Sequence, residues 1–244
     1  MERKKYLILT ILLLFVFLSI YASNKTEIYK AYISNDMNLW KKTIDEMNQQ
    51  KSKSNDFRLE LLNYQYGYIA WCIGNKKYKI AETYIELGEK SIHILEKTGS
   101  YASSVNAYNS AFYGYRIGLN LLKAPFFGPK SVECAKLSIK QDTNSPYGYI
   151  QYANSQFYMP SVFGGSKKIA LDYYTKAKNL MERNPNEAIE DWNYLSLLSM
   201  IAKTYTALKD FNQAKLYYEK ILKIEPDFLW VKNELYPELL KKIK

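Results

Sequence analysis

Residues 195–226, LSLLSMIAKTYTALKDFNQAKLYYEKILKIEP, decide the fold. Leu198, Ile201, Ala202 and Tyr205 recur at intervals of three, four and seven, the spacing of one helix face. Leu208-Lys209-Asp210 is a short polar turn. Phe211, Ala214, Tyr218 and Ile221 then form a second apolar face, which Pro226 terminates. Large residues alternate with small ones, and Ala202 and Ala214 stand where two helices must approach closely. Two helices joined by so short a turn make an antiparallel pair.

The same grammar runs back along the chain. Ile150, Ala153 and Phe157 form a first helix whose partner carries Ala170, Tyr174 and Ala177. Ser110, Tyr113-Gly114 and Ile117 pair with Ser131, Ala135 and Ser138. Tyr66-Gly67 and Ala70 pair with Ala81, Ile85 and Gly88. Ile28 and Ala31 pair with Trp40, Ile44 and Met47 across Ser34-Asn35-Asp36. A last helix over residues 229–243 follows Pro226-Asp227. Its Lys-rich end gives the polar outer face that a terminal cap needs. Composition agrees: 48% of residues are hydrophobic, with only 10 Gly and 7 Pro among 244. That disfavours a turn-rich β-sandwich and a disordered chain.

Leu198, Ile201-Ala202, Tyr205, Ala214, Tyr218, Ile221 and Pro226 resemble the tetratricopeptide repeat, whose period is about 34 residues. Ile221 departs from it, being larger than the usual Ala. The resemblance implies an all-α, right-handed α-solenoid of about five helix pairs plus a C-terminal capping helix, over residues 24–244. The stretch from Phe163 to Leu239, with WKKTIDEM at 40–47, also resembles exported bacterial tetratricopeptide proteins common in Bacteroidota. That resemblance implies export and hands over no active site.

Two stretches with Phe-Gly, PFFGPKS at 125–131 and PSVFGGS at 160–166, read as longer turns inside the third and fourth pairs. Pro ends one helix and Gly allows positive φ where the chain reverses. Phe127 and Phe163 are expected to tuck back between repeats, and Ser131 and Ser166 to cap the helices that follow. A phosphate-binding Gly loop would want a preceding strand, for which there is no signal.

Residues 1–22 read as a signal peptide: a basic start, a charge-free run from Tyr6 to Tyr21, and small Ala22. An uncleaved N-terminal anchor is the alternative, since 16 apolar residues approach a membrane span. With no Cys at the cleavage point, the lipoprotein route is not expected. The expected location is the periplasm or cell envelope, and membrane contact is expected only through this segment if it stays uncut. Its removal takes away three basic residues and one acidic one, lowering the net charge from +10 to +8. The lysines are scattered, which reads as solvated helix faces. Cys72 and Cys134 read as two buried thiols, with a disulfide as the alternative in an oxidising compartment.

Chemistry is not legible. One His, His93, and two separated Cys permit no zinc site, no Cys–His dyad and no Ser–His–Asp triad. No nucleotide fingerprint appears, and export with scattered lysines argues against nucleic acid. The expectation is a non-enzyme with no cofactor and no metal. What remains is a concave face lined by the first helices. On the repeat register it includes Tyr64, Tyr68, Trp71, Tyr108, Tyr115, Gln151, Ser155, Tyr158, Ser199 and Lys203. Such an aromatic face suits a protein or peptide partner. An apolar lumen holding a small hydrophobic ligand, in a binding accessory of an envelope uptake system, is the alternative.

Overall fold

The computed structural model describes residues 24–184, 186 and 188–243. The expected N-terminal targeting segment therefore lies outside the described residues. The chain is all-α, a stack of five helix pairs with a terminal cap. The pairs are α1 (24–33) with α2 (Met37–Gln49), α3 (Asn55–Gly74) with α4 (Tyr78–Thr98), and α5 (Ala102–Leu119) with α6 (Ala124–Gln141). Then come α7 (Pro146–Tyr158) with α8 (Lys167–Met181), and α9 (Trp192–Ala207) with α10 (Phe211–Ile224). A π-helical turn (Val231–Leu235) leads into the cap, α11 (Tyr236–Ile243).

The turns inside the first, second and fifth pairs are copies of one another. Each places its middle residue in the left-handed region: Asn35 at φ 55°, Lys76 at 58°, Lys209 at 63°. The next residue donates its N–H five positions back: Asp36 to Ala31, Lys77 to Cys72 and Asp210 to Tyr205, at 2.9, 2.8 and 3.0 Å. This is the Schellman closure, which satisfies helix-end carbonyls that would otherwise lack a partner. In two of the copies an Asp then caps the second helix, Asp36 accepting from the Leu39 N–H and Asp210 from that of Gln213.

The fourth pair turns where the sequence predicts. Tyr158 ends α7, a 3₁₀ turn spans Ser161–Phe163, Gly164 sits at φ 93°, and Ser166 caps α8 through the Ile169 N–H. Phe163, however, does not tuck back: it is 74% exposed. The third pair differs more. Its reversal comes earlier, at Asn120 and the 3₁₀ turn Leu121–Lys123, where Asn120 accepts from the Leu122 N–H. PFFGPKS therefore lies within α6, and Ser131 is no cap. It is buried mid-helix and donates to the Ser110 carbonyl at 2.8 Å. Proline suits the first helical turn, and Pro129 sits only one turn further in. The carbonyl it leaves without a partner is that of exposed Pro125, where water can reach. Phe127 does stack on Tyr113, with centroids 5.4 Å apart.

Small residues sit where helices cross: Ala81, Ala135, Ala153, Ala170, Ala177, Ala202 and Ala214 are fully buried. Arg116 of α5 grips Glu89 of α4 through two hydrogen bonds of 3.0 and 2.6 Å. The stack then closes on itself. Lys25 donates to the Ile189 carbonyl at 2.9 Å and Tyr29 donates to Glu225 at 3.0 Å. Trp192, at the start of α9, meets Tyr32, Trp40 and Tyr66 with centroids 5.7, 5.1 and 6.1 Å away. Its indole N–H donates to Asn63 at 2.9 Å. The first and last pairs thus share one core, with Phe228 fully buried against Tyr32.

Candidate binding surface

Much of the face expected to be open is covered. Of the ten residues expected to line it, Tyr64, Tyr68, Tyr108, Gln151 and Ser199 are buried. Trp71, Tyr115, Ser155 and Lys203 are half-buried, and Tyr158 is 67% exposed.

The reasons differ. Tyr68 is displaced by register: it packs edge-on against Tyr84 of the outer helix α4 at 5.1 Å. Tyr64 does lie near Asp191, at the start of α9, but it is buried and its hydroxyl donates to Glu60 of its own helix at 2.7 Å. Tyr66, between them, meets Tyr108 and Trp192 in the interior. Tyr108 does face inward, but it is sealed between Tyr66 and Tyr147. Gln151 is enclosed beside Asn154, whose amide donates to it at 3.1 Å. Ser199 turns back on its own helix and donates to the Leu195 carbonyl at 2.8 Å. Trp71 lies under the Lys77 ammonium, 4.4 Å from its ring centroid.

A polar thread runs through this interior. Tyr115 donates to the Tyr66 carbonyl at 3.0 Å, Asn154 reaches the Tyr66 hydroxyl at 3.4 Å, and Tyr174 donates to Asn154 at 2.6 Å. Burial pushes the hydroxyls of Tyr66, Tyr108, Tyr115 and Tyr174 upward. They act as neutral hydrogen-bonding groups that fix the core. Asn63, Asn154 and Trp192 escaped the sequence reading, and Tyr66 entered it only as a helix-pairing residue. For the two Asn the only local signal was a polar residue on an otherwise apolar helix.

The open part lies towards the C-terminal end. Tyr158 stands at the end of α7, its ring 5.0 Å from Phe157 and its hydroxyl 4.0 Å from the Met200 sulfur. Beside it a cleft of about 230 Å3 has an apolar floor of Phe157, Ala207, Tyr218 and Leu239. Lys203, Glu238 and Lys242 form its charged rim. The Lys203 ammonium sits 5.5 Å from the Trp230 ring centroid. Burial lowers its pKa, against the pull of Glu238.

Nothing in this geometry activates a nucleophile. Burial pushes the Cys72 thiol up to about 11, and it raises Cys134 as well. Both thiols are free, Cys72 buried and Cys134 half-buried. His93 is exposed on α4, 3.9 Å from Glu96. Among the described residues no three His, Cys, Asp or Glu side chains converge as metal ligands.

Comparison with known proteins agrees with the fold. Residues 195–228, covering α9 and α10, match the tetratricopeptide repeat family. Among solved structures, the HusA haemophore from Porphyromonas gingivalis superimposes with a TM-score of 0.61 at 16% identity. The match covers 77% of this chain and 94% of that one. It shows a shared helical architecture. No curated protein matches in sequence.

Proposed function

We propose that this chain is a non-enzymatic binding protein, exported by its N-terminal segment, whose residues 24–244 form one repeat domain that takes a protein or peptide partner. The observation that carries this reading is the cleft beside Tyr158. At about 230 Å3 and open to solvent, it is smaller than the roughly 300–1,000 Å3 sites that engulf small ligands. It is large enough for one or two side chains of an extended segment. Its apolar floor and mixed-charge rim match the make-up of peptide grooves. Of the expected face residues, Lys203 lines it and exposed Tyr158 follows its floor residue Phe157.

The test is a photo-crosslinking amino acid placed at Tyr158, with Leu216 on the outer face of α10 as control. We expect one protein species crosslinked from position 158 in the native envelope and none from 216. Identical adducts from both positions, or none from 158, would reject this surface.

A second reading rests on the structural neighbour, a haemophore. A flat hydrophobic ligand of the haem class could lie across Tyr158 and Phe157. Spectroscopic titration with haemin separates the two readings. A saturable absorbance change that Tyr158→Ala weakens would favour the ligand; no saturable change favours the peptide.

A further inference from the structure

We propose that the tips of the third and fourth helix pairs form a docking edge for an anionic phospholipid bilayer. Five large apolar side chains stand out into solvent there: Leu121 at 76%, Leu122 at 83%, Phe126 at 74%, Val162 at 82% and Phe163 at 74% exposure. Scattered exposed apolar residues are ordinary; five on two neighbouring tips are not.

The two tips lie at one level. α5 and α7 pack together, and Tyr108 meets Tyr147 at 6.3 Å. Eleven residues beyond each of those tyrosines the helices end, at Leu119 and Tyr158. Both 3₁₀ turns therefore project from the same edge of the stack.

Charge selects the occupant. No Asp or Glu occurs between Glu96 and Glu133, or between Asp142 and Asp172. Those two spans contain both tips. Lys123 and Lys130 flank the first apolar turn and Lys167 and Lys168 follow the second; Lys123, Lys130 and Lys168 are exposed, while the Lys167 ammonium is turned back onto the Phe157 carbonyl and ring. None of these four pairs with a carboxylate among the described residues. The nearest acids below the first tip, Glu82 and Glu89, are paired with Arg116. Protruding apolar tips with lysines behind them and no acid in either turn are the arrangement of a protein that wedges shallowly into an anionic bilayer. The side chains enter the headgroup boundary and the ammonium groups meet phosphates. A protein partner would ask for a groove or a flat patch, and these side chains stand apart on convex turns. The edge adjoins the cleft at Phe157, whose ring lies under the Lys167 ammonium, but the lipid test reads Val162 with no partner present, so this proposal stands or falls independently of the peptide reading.

The test places an environment-sensitive NBD label at the tip, in the protein as the cell leaves it. Val162→Cys carries the label in a Cys134→Ser background, Cys72 being buried. We expect NBD emission to rise and shift to the blue with phosphatidylglycerol vesicles at low salt, not with phosphatidylcholine vesicles. A label at Leu216→Cys is expected to stay water-like. Each lysine near the surface is worth about fivefold in partitioning. Lys123→Gln with Lys168→Gln should therefore raise the lipid concentration for half-maximal shift by roughly 25-fold. Both side chains are exposed, and circular dichroism checks that the fold is kept. A tip label that stays water-like in saturating anionic vesicles overturns the proposal. So does a shift indifferent to lipid charge and to the two lysines, or one that only an added envelope protein produces.

Discussion

Glu182 offers a quantitative probe of how the last repeats are held. It follows α8 and collects partners from three helices: Lys178 at 2.7 Å, Lys220 of α10 at 2.8 Å and Tyr194 of α9 at 2.6 Å. Burial alone would push its carboxyl up. The hydrogen bonds from Lys178, Lys220 and Tyr194 override that and hold it at about 2, from an ordinary 4.5. Each pKa unit is worth about 1.4 kcal/mol, so the full shift corresponds to about 3.4 kcal/mol. The side chain is 32% exposed, so solvent screening cuts this to about 1–2 kcal/mol. Glu182→Gln removes the charge but keeps an oxygen for Tyr194, so it isolates the ionic part. A depressed folded-state pKa stabilises above the unfolded value and is lost as pH falls. The variant should therefore be about 1–2 kcal/mol less stable at pH 7, and the gap should shrink as pH falls below 4.5 and vanish only below pH 2. Urea unfolding of both proteins at pH 7, 5 and 3 measures it. A gap as large at pH 3 as at pH 7, or no gap at pH 7, refutes the reasoning.

Further substitutions probe the backbone and the core. At Lys76 and Lys209, held at φ 58° and 63° in Schellman turns, replacement by Gly relieves left-handed strain and should stabilise by about 1 kcal/mol each in chemical denaturation. Gly67→Ala should destabilise by about 1–3 kcal/mol, because its new methyl would lie 2.7 Å from both the Trp192 and Trp40 rings. Gly165→Ala should cost at least as much: its Cβ would fall 1.9 Å from the Met159 carbonyl oxygen, backbone that cannot step aside. Thermal unfolding compares these last two.

The helix pairs were legible because their signal is local. Small residues at fixed spacing, Ala202 against Ala214 or Ala153 against Ala170, mark each crossing. Two of the tight turns were legible as short triplets, Ser34-Asn35-Asp36 and Leu208-Lys209-Asp210. The α5–α6 turn was misplaced because Pro and Gly in PFFGP look like punctuation. One lost hydrogen bond near an exposed helix start is in fact a small cost. In the second pair, Tyr64, Tyr66 and Tyr68 sit on a helix that is apolar nearly all round, so periodicity cannot say which faces inward. The end-to-end closure was not legible at all. Trp192 meets Tyr32 across 160 residues of sequence, and no local pattern encodes that meeting.

That meeting is what joins the first pair to the last in one core, so it is the point to measure. A double-mutant cycle on Tyr32→Ala and Trp192→Ala, read by equilibrium unfolding, tests it directly. The rings are edge-on at 5.7 Å. The account predicts a coupling of about 0.5–1.5 kcal/mol, the range for aromatic pairs in contact. Additivity within about 0.3 kcal/mol, as found for distant sites, would mean that the two ends do not meet.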